Sequence, residues 1–216
     1  MVPRDLEPVA MRVLGSLIEK DLSTPDHYPL SLNALTSACN QTSNRDPVMA
    51  LDEAVVSGAI DGLRRLGLVR SIQPVGSRVP KYQHLLTEGG DFTRTELAVL
   101  CVLTLRGPQT LAEVRSRTAR LTPGDEPSRL DAAVEALMVR EPEPVATRLP
   151  RRPGQKEVRY AHLLGGEVVY ATDDLPPATP AAATDRIAAL EEITGELRNE
   201  VADLRAQLAA FRKQFE

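Results

Sequence analysis

Between Arg148 and Arg159 the sequence reads RLPRRPGQKEVR, which sets Arg148, Arg151, Arg152, Lys156 and Arg159 around a Pro153-Gly154 turn with Glu157 as the sole acid. Cations crowded at a turn are suited to neutralising phosphate, and a guanidinium does so with two donors at once. A solvated turn whose charges keep a strand edge soluble has the same composition, as does a contact with a protein. Earlier, SACNQTSNRDPVM (Ser37–Met49) places Asn40, Gln41, Asn44 and Arg45 between two apolar segments. Asn and Gln amides can read adenine, and Arg45 can take a phosphate or a carboxylate. The same side chains also brace a loop by bonding its own backbone, and they suit a protein partner equally well.

Catalytic chemistry has no constellation to rest on. The three histidines are His27, His84 and His162, and the last two occupy matching places in YQHLL (82–86) and YAHLL (160–164), which points to a shared structural role. No Cys-x-x-Cys, His-Glu-x-x-His or paired-histidine spacing suggests a metal. No glycine pattern of a nucleotide site is present, and RPGQK turns a hairpin rather than opening a helix. The expectation is a protein without catalysis, metal or cofactor. Cys39 and Cys101 sit in apolar helical patterns and are expected to be reduced core residues of a cytoplasmic protein.

The elements that would position these residues repeat in order. EPVAMRVLGSL from Glu7 matches ELAVLCVLTL from Glu96, LSLNALTSACN matches QTLAEVRSRTA, and AIDGLRRLGLV matches AVEALMVREPEPV. Each unit reads as three helices and then two short strands. Val56, Ile60 and Leu63 fall at helical spacing, Asp52 and Glu53 read as cap and first-turn acid, and Gly67 stands where the helix should stop. The fold class expected is mainly α with small β-hairpins: two tandem winged helix-turn-helix domains plus a C-terminal coiled-coil helix. The first spans residues 1–90, with an enlarged polar turn, and the second 91–165, with a basic wing. A Pro/Ala-rich linker covers 166–184 and the coiled-coil helix 185–216. In that last segment Ile187, Leu190, Leu197, Val201, Leu204, Leu208, Phe211 and Phe215 keep a heptad seam, expected to hold a homodimer. An amphipathic cap folded onto the body is the alternative reading.

Composition agrees with a soluble helical protein. Apolar residues make up 42% and aromatics 3%, so the core must be built from Leu, Val, Ile and Ala. The N-terminal stretch is interrupted by Glu7, Arg12 and Glu19, so neither a signal peptide nor a membrane span is expected there. The net charge of −4 hides an uneven distribution, with a modestly basic second unit and an acidic tail.

RVLGSLIEK, YPLSLNALTSACNQTSNRDPVMALDEA, LRRLGLV and RLPRRPGQKEVRYAHLL together resemble the YceH-like family of uncharacterised bacterial proteins. The similarity covers about residues 5 to 165. The resemblance implies a tandem winged helix and carries no established activity.

Winged helices most often bind DNA through the third helix and the hairpin. In the first unit the third helix offers Asp52, Glu53, Ser57 and Asp61, which would repel phosphate. The second adds Arg129 to its basic wing. The expected function is a DNA-binding protein, a transcriptional regulator in type, that contacts duplex phosphates through the second wing. The alternative is an adaptor whose winged helices dock an unknown protein partner.

Overall fold

A computed structural model describes residues 3–76, 79–151 and 155–168. The chain is mainly helical with small antiparallel sheets. Helix α1 (Pro8–Ser23) is followed by strand β1 (Leu30–Ser31), α2 (Leu32–Cys39), α3 (Glu53–Arg65), β2 (Val69–Ile72) and β3 (Lys81–His84). Then come α4 (Arg94–Arg106), α5 (Leu111–Thr118), α6 (Pro127–Met138), β4 (Ala146–Arg148) and β5 (Tyr160–His162).

Local sequence explains where the helices begin and end. The Asp52 carboxylate accepts from the Val55 amide and caps α3. Gly67, at φ +71°, ends it: the Leu68 amide donates to the Leu63 carbonyl and the Gly67 amide to that of Arg64, the paired bonds of a left-handed C-terminus. Capping boxes open α4 (Thr93 with Glu96) and α5 (Thr110 with Glu113), each satisfying two otherwise orphaned donors.

The repeat read from the sequence extends to the hydrogen bonds. In the first unit the sheet order is β1-β3-β2, with Leu30 opposite Tyr82 and Val69 opposite His84. In the second, Ala146 stands opposite His162, and Gln109 bridges to Tyr160 where a first strand would lie. The two histidines therefore end equivalent strands. The short β1 was not read from sequence, because two residues carry no alternation to detect.

The two repeats share one core. Helix α4 is buried from Thr95 to Leu105 on every face, and a single apolar cluster runs from Leu6 through Leu164. Helices α1 and α4 meet closely at Gly15, where a Cβ would stand 2.9 Å from the Leu105 side chain. The Cys101 thiol donates to the Gly15 carbonyl at 3.6 Å. The boundary at residue 90 thus separates two repeats without separating two cores. Both cysteines are free and buried, and burial pushes both thiols up. The described residues belong to one compact unit, residues 1–169. The expected linker and heptad seam, Ile187 to Phe215, lie outside the described residues.

Candidate functional site

The polar run between α2 and α3 turns inward. Thirteen residues separate Cys39 from Glu53, against eight between Thr118 and Pro127 in the second unit, so this turn is the longer of the two. Arg45 is its centre, and its side chain is fully buried. Its guanidinium donates to the Ala38 carbonyl at 2.7 Å, to Gln41 Oε1 at 3.2 Å and to Glu19 Oε2 at 2.6 Å. Asn40 bonds both the amide and the carbonyl of Leu51, at 2.8 and 2.7 Å. Asn44 adopts φ +59°, a conformation Asn tolerates, and its Oδ1 accepts from Arg106.

The expectation that Arg45 presents a contact surface is therefore corrected. A guanidinium sealed from water, each of its nitrogens matched to an acceptor inside the protein, is out of a partner's reach. Asn40, Gln41 and Asn44 are half-buried and direct the bonds described above into the protein.

What the run braces is the junction between the repeats. Glu19, 1% exposed, accepts from Arg45 on one oxygen and from Arg120 of the α5–α6 turn on the other, both at 2.6 Å. The Asp46 amide donates to the Leu105 carbonyl at 2.8 Å. Arg12, also buried, donates to the carbonyls of Cys39 and Pro47. Burial alone would raise the Glu19 carboxyl, but the bonds and charge of Arg45, with Arg120, hold it below the ordinary carboxylate range. Sequence reasoning missed Arg12, Glu19 and Arg106 as site residues, and it missed the tie of Arg120 to Glu19. The available signal was Arg12 and Glu19 themselves, opposite charges seven residues apart on the apolar face of α1, where a charge survives only if paired.

The second hairpin is the opposite kind of place. Arg148, Arg151 and Lys156 are exposed and line an open groove of about 910 Å³ between α5 and the hairpin. Leu111, Leu149 and Val158 contribute apolar surface to it, and Arg115 stands on the α5 side. Arg148, Arg151 and Lys156 make no ion pair among the described residues. Two other residues expected in the set are engaged. Arg159 turns to α5, donating to the Pro108 carbonyl at 2.9 Å and to Glu113 at 3.1 Å. Arg129 pairs with Asp125 at 3.1 Å. Arg152 lies outside the described residues.

The outward acids of the second unit are partly neutralised. Arg115 grips both oxygens of Asp131, one of them at 2.9 Å. In the first unit, Arg64 pairs with Asp61 at 3.3 Å while Val55 and Leu66 leave apolar surface exposed along α3. That apolar face was absent from the sequence reading, which weighed only the acids of this helix.

Of the histidines, His84 is buried with its ring 3.4 Å from Asp21, and its amide donates to the Tyr28 hydroxyl. Burial pushes the His162 imidazole down to about 4. Among the described residues no group of three or more His, Cys, Asp or Glu side chains is placed to hold a metal, and no helix is long and apolar enough to cross a membrane.

Comparison with known proteins agrees with the resemblance in the sequence. A family model described as "Protein of unknown function, DUF480" matches residues 6–155. A UPF0502 protein of Pelobacter propionicus is 50% identical over 211 residues, covering 95% of each chain. One of Vibrio atlanticus is 44% identical over 208 residues, 93% of this chain and 95% of the relative. Another, of Geobacter sulfurreducens, is 49% identical over 218 residues and covers 98% of both. The chain belongs to this DUF480/UPF0502 family of uncharacterised bacterial proteins.

Proposed function

We propose that this member of the DUF480 family is a cytoplasmic, non-catalytic DNA-binding protein, a regulator in type, built as a tandem winged helix-turn-helix. In this reading α6 and the β4–β5 hairpin face the duplex, and a C-terminal coiled coil joins two copies. The observation that carries it is the set of free cations on the second hairpin. Arg148, Arg151 and Lys156 border one open groove, which Glu157 also lines, and pair with no carboxylate among the described residues, whereas Arg45, Arg115, Arg120, Arg129 and Arg159 are each held by an acid. Affinity for nucleic acid rests largely on phosphates neutralised by such unpaired cations.

Sequence reading in this picture is weak. The outward acids of α3 and α6 cannot make the arginine–guanine contacts that most often specify a base. Backbone contact therefore dominates, and binding should be steep in salt. The test is fluorescence anisotropy of labelled mixed-sequence duplexes titrated with the full chain at two salt concentrations. Binding that weakens steeply with salt is expected; no binding at low salt would refute the proposal.

A second reading, an adaptor that docks a protein on the first unit, has one specific observation in its favour. Val55 and Leu66 expose apolar side chains on α3, the helix that in a DNA-reading unit would be polar and basic.

A further inference from the structure

The arginines of the repeat junction outnumber the acids that hold them. Glu19 serves Arg45 and Arg120 at 2.6 Å each and Lys20 at 3.9 Å, while Glu113 serves Arg159 at 3.1 Å and Arg117 at 3.6 Å. Arg106, the last residue of α4, has no carboxylate partner among the described residues, and its guanidinium donates to Asn44 Oδ1. Asp46, the other acid of the polar loop, makes no ion pair among the described residues, and its charge supports the guanidinium of Arg12. Burial first, and then the charges of Arg117 and Arg120, push the Arg106 guanidinium down, with Glu19 acting the other way. Like charges are left facing one another here, and a bound anion would relieve them.

The same three guanidiniums are gripped at one end only. Among the described residues, Arg106 uses Nη2 for Asn44, Arg117 uses Nη2 for Glu113 and Arg120 uses Nη2 for Glu19. Nε and Nη1 of each remain, on a group whose donors form a fixed fork. The side chains of Arg117 and Arg120 are 30% and 48% exposed and Arg106 is half-buried, so these donors are within a ligand's reach. Their positions are set from the first repeat. Asn44 holds Arg106, Glu19 holds Arg120, and Arg45 joins the two holders by donating to the Asn44 carbonyl and to Glu19. Side chains placed before a ligand arrives lose little freedom when it binds.

We propose that Arg106, Arg117 and Arg120 form a binding site for a small phosphate-bearing anion at the junction of the two repeats. Arginine forks match phosphate oxygens two at a time, and three cations close enough to repel one another suit a group with more than one negative charge. The site is separate from Arg148, Arg151 and Lys156 of the hairpin and independent of the duplex reading. With Arg106 half-buried, it favours a compact ligand over the rigid backbone of a duplex. Because Asn44 and Glu19 come from the first repeat and the arginines from the second, an occupied site ties the repeats together.

The test is equilibrium dialysis of the full chain against labelled inorganic pyrophosphate. One pyrophosphate per chain is expected, with a dissociation constant of about 100 μM or below. Arg106→Gln should raise that constant at least about tenfold. Arg117→Gln, whose side chain has only the longer contact with Glu113, should do the same and decides the matter if Arg106→Gln disturbs the fold. Replacing Arg148, Arg151 and Lys156 by Ala should leave pyrophosphate binding unchanged, whether or not the protein binds DNA. No binding of pyrophosphate would overturn the proposal, as would binding that survives both glutamine variants and is lost with the hairpin cations. In anisotropy with a labelled duplex, the double variant Arg106→Gln with Arg117→Gln should keep the native dependence on salt. A slope flattened by about two units would overturn the small-ligand assignment and give these arginines to the DNA backbone.

Discussion

Arg45 and Arg151 both stand in polar runs beside proline, and one is sealed while the other is open. Arg45 has no exposed side-chain surface, and each of its three guanidinium nitrogens meets an acceptor. Arg151, on the rim of the second hairpin, faces solvent. What separates them is the neighbourhood each fold position supplies. A buried guanidinium must find a carboxylate and several carbonyls or the site does not form, whereas one on a hairpin tip is left with its donors available. In this chain the composition of a polar run therefore says little about whether it meets a partner; its place relative to the core says more.

The sharpest way to break this contrast is at the junction. Arg45→Ala would leave Glu19 buried with Arg120 and, at 3.9 Å, Lys20, and should destabilise the protein by about 3–5 kcal/mol, the usual cost of removing one member of a buried pair. Urea denaturation would read this as a large drop in midpoint. A loss within about 0.5 kcal/mol would mean that Arg45 behaves as a surface residue.

At the hairpin the pattern should invert. Replacing Arg148, Arg151 and Lys156 together by Ala should change stability by no more than about 0.5 kcal/mol per site, yet flatten the dependence of log affinity for duplex DNA on log salt by about three units. Calorimetry and anisotropy on the same preparation separate the two effects.

Acid sharpens the comparison from another side. His162 has its folded value depressed to about 4 from an ordinary 6.5 by burial, so its neutral form is favoured in the folded state. The unfolded chain then binds more protons between those values. Stability is full above about pH 6.5 and falls as pH drops toward 4, by roughly 3 kcal/mol at most. Glu19, whose folded value is lowered, adds a loss only at more acidic pH, as its carboxylate takes up a proton. His162→Gln should flatten the first part of a pH series of thermal melts and leave the second. Asn44→Ala should lower stability in the same melts by about 1 kcal/mol, because alanine is strained at φ +59° and gives Arg106 no acceptor.

Much of the fold was legible in the sequence because its signals are local. Asp52 and Gly67 bracket α3 through chemistry confined to a few neighbours, and the YQHLL and YAHLL segments share four of five residues. The shared core was less visible, although the unbroken apolar run of α4, without a polar face, is what a helix buried on all sides looks like. The junction was hidden for a different reason. Glu19 reaches Arg45 across 26 positions and Arg120 across 101, and no periodicity records a pairing over such distances. The open hairpin was readable in composition, but the turn of Arg159 toward Glu113 depends on where α5 lies.

The measurement closest to the central claim is the salt dependence of duplex binding for three proteins side by side: the native chain, the Arg148/Arg151/Lys156 triple alanine variant, and Asn44→Ala. The native chain and Asn44→Ala are expected to share a steep slope, while the triple variant is flat and weak. A triple variant that binds as the native chain does, or an Asn44→Ala variant that alone loses binding, would contradict it.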